Sequence, residues 1–177
     1  MPAEKSKNDV TARMRIDNWV PTHNGDRKKF RAVCLHEAAH AVIGHSLGLP
    51  TERLGAWATE GNADLRTGFI LIDVIGACQW VRPDVYTDAH LHAKLIALLA
   101  GPAQSAMSSG SHSGERCTND ERMALATAAL IVDDDEAPAY VEEHRALAIA
   151  LVFKHRTEIA ALATRLESEG TILYPFG

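Results

Sequence analysis

His36-Glu37-Ala38-Ala39-His40 is the segment whose residue types and spacing can do chemistry. A helix turns about 100° per residue, so His36 and His40 fall about 40° apart around its axis and one turn apart along it. Two imidazoles on one face can share a single Zn²⁺. Glu37 lies about 60° beyond His40, near enough to reach a metal-bound water without being forced onto the metal. Zinc lowers the pKa of such a water toward about 7, and a carboxylate beside it can take the proton. With 9 histidines in 177 residues, random order would give this pattern on the order of 0.03 times per chain. The competing reading is a helix whose two histidines are merely polar.

A catalytic zinc usually has three protein ligands and one open position. The longer pattern H-E-x-x-H-x-x-G-x-x-H fails, because Ile43 and Ser46 occupy the Gly and third His places. His45 points about 180° away from His36. Glu60 stands between Thr59 and Gly61, in what reads as a turn. His90 and His92 are two apart, on different sides of a helix, and read as surface residues. His112 and Cys117 fall in a Ser/Gly-rich loop and could be ligands, although loop histidines usually are not. Asp120 is the remaining candidate, although an acid in the first turn of a helix also favours the helix dipole.

These residues need elements to hold them. Asp26 can cap a helix running to about Leu47, with Phe30, Val33, Ala38, Ala41 and Val42 near helical spacing. Gly48 and Pro50 stop it. Arg53–Thr59 and Thr67–Val74 read as two strands of a hairpin or small sheet around a polar loop, Glu60–Arg66. Ile75–Arg82 reads as a third strand or an irregular return. Thr87 caps a helix from Asp88 to about Leu99, which Gly101-Pro102 interrupts before a further helical stretch to Met107. Ser108–Cys117 reads as loop. Thr118 and Glu121 form a capping-box pattern for a helix to about Val132. Asp133–Glu136 is an acidic connection, and Pro138 opens a last long helix ending near Gly170. The organisation predicted is a flexible extension over residues 1–25 and one domain over 26–177.

Composition narrows the class. Apolar residues make up 46% and charged residues 23%, an ordinary globular balance. A net charge of -5 argues against nucleic acid as a main partner. Three widely spaced cysteines with no C-x-x-C pair point to a reducing compartment. The polar start lacks a signal-peptide apolar region, and no apolar run approaches the ~18 residues of a membrane span. A cytoplasmic protein is predicted. No G-x-x-x-x-G-K-[ST] phosphate loop is present, so ATP binding is not expected.

VCLHEAAHAVIGHSLG resembles the zinc-binding helix of the FtsH-type ATP-dependent zinc peptidases. LIALLAGPAQSAMSSG resembles that family's following helix, CTNDERMALATAAL its Asn-Asp helix start, and EEHRALAIALVFKHRTEIAALATRLESEGTI its C-terminal helix. Order and approximate spacing agree from about Phe30 to Ile172. The resemblance implies a zincin-like fold, mainly α (α+β), with an HExxH helix and a small β-sheet or hairpin. It implies that His36, His40 and Asp120 bind Zn²⁺ and that Glu37 is the general base. Ala39 stands where the family has Gly. The segment Thr67–Asp73 resembles the strand beside the family's zinc helix, an edge that can take an extended peptide.

The family's membrane segments and ATPase module have no counterpart in the sequence, so ATP-driven unfolding is not expected of this chain alone. The leading expectation is a zinc endopeptidase acting on flexible or unfolded polypeptide, with a separate ATPase as one way of delivering it. A homo-oligomer is open to it. The second reading is a non-catalytic zinc-binding module acting in protein–protein regulation, although such a module has no need of Glu37. The third is a helical domain without metal.

Overall fold

In the computed structural model the backbone is described for residues 24–63, 70–109 and 115–176. Among these, the elements are α1 (Asn24–Ser46), β1 (Thr51–Ala63), β2 (Ile70–Trp80), α2 (Asp88–Ser109), α3 (Glu115–Ala128), α4 (Ala137–Lys154), α5 (Arg156–Glu169) and β3 (Thr171–Leu173). The fold is mostly helical with one small antiparallel sheet, in the order β2-β1-β3.

The apolar spacing of α1 does what its periodicity requires. Phe30, Val33, Cys34, Ala38, Ala41 and Val42 are buried, and the helix packs against α2, α5 and both long strands. It ends at Ser46, and Gly48 takes the chain out with φ +83, a conformation that costs glycine little. Strand β1 returns along α1 and pairs with β2, with Leu54 opposite Cys78 and Ala56 opposite Gly76. Its other side takes β3, with Leu54 opposite Ile172.

Helix α2 forms the centre of the helical layer, packing on α1, α3 and α4. Leu95, Leu99 and Ala100 are fully buried there. The interruption expected at Gly101-Pro102 does not occur, and α2 runs through to Ser109. A proline inside a helix removes one backbone hydrogen bond and costs about 3 kcal/mol. Burial of Leu95, Leu98 and Leu99 ahead of it, of Ala103 after it and of Pro102 itself outweighs that.

Four other boundaries differ from the sequence reading. The segment expected as a third strand belongs to β2, which continues unbroken to Trp80. Strand β1 extends to Ala63, so Glu60 is a strand residue opposite Ile72 rather than part of a turn. Helix α3 starts at Glu115, ahead of Thr118, and ends at Ala128. The expected last long helix is two helices broken at His155, whose backbone leaves the helical region at φ -97, ψ 17. The break lets each half bury its own face. Ala148 and Val152 of α4 lie inside one part of the core, and Ile159, Ala163 and Leu166 of α5 inside another, against α1. After Gly170 (φ +68) the chain adds β3, which the sequence reading did not contain.

The expected extension over residues 1–25 lies outside the described residues up to 23, with Asn24 and Gly25 inside α1. His112 and the start of the strand expected at Thr67 also fall outside them. No helix among the described residues is long and apolar enough to cross a membrane.

Candidate metal centre

Helix α1 carries His36, Glu37 and His40 inward. All three are buried, at 6%, 6% and 4% exposure, a costly placement for polar groups unless their atoms are partnered. The partners of the two histidines come from two other helices. Asp120 of α3, 84 residues away in sequence, places Oδ2 2.9 Å from His36 Nε2 and 3.4 Å from His40 Nε2. The two Nε2 atoms lie 3.0 Å apart. The ligand atoms of His36, His40 and Asp120 all lie within 4.8 Å of one another, a group that could hold a metal ion. Among the described residues it is the one such group of three or more His, Cys, Asp or Glu side chains.

The far side of each imidazole is tied down by α2. His40 Nδ1 donates to the Ala97 carbonyl at 2.7 Å, and His36 Nδ1 is hydrogen-bonded to Ser105 Oγ at 2.9 Å. A histidine that binds metal through one nitrogen usually has the other fixed by such a partner, which sets tautomer and ring angle. Between Ala97 and Ser105 stands Gly101. A Cβ there would overlap His40 Nε2 and come within 2.6 Å of His36 Nε2. Only glycine lets α2 approach the histidines this closely. The three positions are spaced i, i+4, i+8, one stripe of a helix.

Glu37 is placed by a second glycine. A Cβ on Gly76 of β2 would overlap the Glu37 carboxylate, so the side chain lies directly beneath the strand. Its charge is also felt at His40. Burial alone pushes the His40 pKa down. The Asp120 hydrogen bond and charge, followed by Glu37 and the Ala97 carbonyl, overcome this and raise it to about 9. Burial likewise works against ionised Asp120, but its hydrogen bonds and charge interactions with the two histidines hold the carboxyl well below the usual range.

The other sequence candidates fall elsewhere. His45 stacks on Phe176, with ring centroids 4.2 Å apart. His90 Nδ1 lies 2.7 Å from Thr87 Oγ1. His92 meets the Tyr140 hydroxyl at 2.8 Å. Glu60 is in β1, and Cys117 is in the first turn of α3. Sequence reasoning missed Ala97, Gly101, Ser105 and Gly76. The signal for the first three was present as small residues at helical spacing, masked by the assumption that Pro102 breaks the helix there.

No protein-family model matches the chain, and no curated protein matches it.

Proposed function

We propose that this chain is a zinc-dependent metallopeptidase, zincin-like in fold and related to the FtsH-type peptidases, that hydrolyses peptide bonds of flexible or unfolded polypeptides. The observation that carries this reading is the meeting of His36, His40 and Asp120 around one point, with Glu37 on the same helix. Zinc suits the donor set: two imidazoles and a carboxylate leave one of four positions open. Tetrahedral bonds of about 2.0–2.1 Å place donors roughly 3.3 Å apart, against 2.9, 3.0 and 3.4 Å here.

A zinc held there would supply a Lewis acid for the scissile carbonyl and lower the pKa of an attacking water. The chain's own residues do the rest. Ala97 and Ser105 hold the imidazoles with both Nε2 atoms turned toward Asp120. Glu37 takes the proton of the attacking water on its carboxylate and delivers it to the leaving amine nitrogen. The edge of β2 not paired to β1 offers backbone groups to an extended peptide. A tightly folded protein cannot present such a backbone, so its unfolding would fall to a separate ATPase.

Two measurements on the purified full chain test the reading. Metal analysis should find about one zinc per chain. Glu37→Gln should keep the zinc and lose cleavage of denatured casein by about 10²–10⁴-fold, the usual weight of a general base. Unchanged cleavage by Glu37→Gln removes the proposed base. Zinc binding without cleavage of any unfolded substrate favours the regulatory module, and absence of zinc overturns both.

A further inference from the structure

A pocket of about 410 Å³ adjoins the metal-ligand cluster. Its walls are largely apolar: Leu49 and Pro50 after α1, Trp80 and Val81 at the end of β2, Tyr86, and Met123 of α3. Val81, Tyr86 and Met123 are 44%, 47% and 41% exposed, high for residues of their kind. Two contacts join the pocket to the cluster. The Trp80 ring centroid is 6.1 Å from that of His40, and Met123 follows Asp120 by one turn of α3. Helix α2 runs along both. His90 and Lys94 line the pocket, and Ala97, Gly101 and Ser105 continue the same stripe to the histidines. Lys94 and Gly101 are separated by about 10 Å along the helix axis, roughly three residues of extended chain.

The charged lining has one sign. Arg82 and Lys94 face the pocket, His90 adds a further polar ring, and no Asp or Glu lines it. Lys94 Nζ lies over the Tyr86 ring, 5.7 Å from its centroid, and neither cation is ion-paired among the described residues. In a chain of net charge -5, two cations beside apolar walls and without carboxylate partners form a local anion-attracting site.

We propose that this pocket binds an acidic side chain of the polypeptide substrate, about three residues from the bond held at the metal centre, and so gives the site a preference for acidic segments. The inference rests on the peptidase reading for its substrate. A glutamate fits both halves of the pocket: its methylenes lie on Trp80 and Leu49 while its carboxylate reaches Arg82 and Lys94. A C-terminal carboxylate fits less well, because it is fixed to the main chain and stays at the strand edge. A side-chain carboxylate is carried off the backbone into the pocket.

Binding to the zinc-loaded Glu37→Gln protein tests this without requiring catalysis. The probes are labelled, C-terminally amidated peptides that differ only in Glu or Gln at one position, followed by anisotropy at low salt. A third probe is the Gln peptide with a free C-terminus. The Glu peptide should bind roughly tenfold tighter than the Gln peptide. Arg82→Gln/Lys94→Gln should abolish that difference while leaving the Gln peptide's affinity and the thermal unfolding midpoint unchanged. Added salt should shrink the difference, since the charges are partly exposed. Equal affinity of the peptides, a preference that survives in the double variant, or a gain only from the free C-terminus would overturn the proposal, as would absence of binding by all three. Selective binding of the Glu peptide without its cleavage by the wild-type protein would instead count against the peptidase reading and leave the pocket's specificity standing.

Discussion

Two histidine clusters stand on α2, and they differ in what closes them. At one end, His36 and His40 of α1 meet nearly edge to face, with ring centroids 4.7 Å apart at 82°. Both are buried, each Nδ1 is held by α2, and Asp120 completes a triangle with the two Nε2 atoms. At the other end, His92 of α2 and His144 of α4 have centroids 5.7 Å apart at 37°, with Tyr140 packed against both. There one nitrogen of His92 is spent on the Tyr140 hydroxyl at 2.8 Å. His144 Nδ1 donates to the Tyr140 carbonyl of its own helix at 2.8 Å. No carboxylate or thiol joins this second pair at ligand distance among the described residues. What makes the first pair of histidines a candidate metal centre is that their outer nitrogens are satisfied elsewhere and a third, anionic donor is carried in.

The largest effect should come from removing a donor of the first cluster. His36→Ala, His40→Ala or Asp120→Ala should each weaken zinc binding by more than about a hundredfold, beyond the 10–100-fold typical of a lost outer partner. His92→Ala and His144→Ala should leave it unchanged. Competition against a chelating dye measures both sets. The contrast breaks if a substitution at His92 releases the metal. The third-ligand assignment breaks if Glu60→Ala loses the metal while Asp120→Ala keeps it.

The next effect isolates the room the first cluster needs. Gly101→Ala puts a Cβ onto both Nε2 atoms. It should lower zinc affinity severalfold to tenfold or more and cost about 1–3 kcal/mol of stability, the usual range for overpacking a filled interior. Zinc titration and urea unfolding of the metal-free protein read the two parts. A variant that binds zinc as tightly as wild type would mean that α2 can retreat from the histidines, and the glycine would then have no part in shaping the site.

How far the sequence discloses this arrangement depends on the range of the signal. His36, Glu37 and His40 are legible because their relation is internal to one helix and follows from the turn per residue. Asp120 is not legible that way. Its distance to His36 is a tertiary fact across 84 positions, and only the resemblance around Asn119-Asp120 singled it out. Pro102 illustrates the opposite failure. A correct local rule gave the wrong boundary, because the burial of α2 among three other helices outweighs one lost backbone bond. The break at His155 has no Gly or Pro to announce it, and β3 is too short to show a period of two. Both are set by which neighbour each segment packs against.

The smallest effect belongs to the second cluster and would sharpen its description as a hydrogen-bonded aromatic pair. Burial raises the Tyr140 pKa above its ordinary value of 10.0, and the charges of Glu143 and then Asp88 add to the rise. An acid whose folded pKa is raised holds its proton longer in the folded chain than in the unfolded one. Above about pH 10 the unfolded state therefore sheds this proton first, and stability is lost as pH climbs from 10 toward the folded value. Absorbance at 295 nm should show the phenol lost in Tyr140→Phe to be one that ionises later than a free tyrosine. Glu143→Gln should bring its midpoint part of the way back, since the charge is the second cause after burial. A Tyr140 that ionises at the ordinary value would mean that its hydroxyl is neither buried nor held near Glu143 and Asp88 as the packing of α2 on α4 places it.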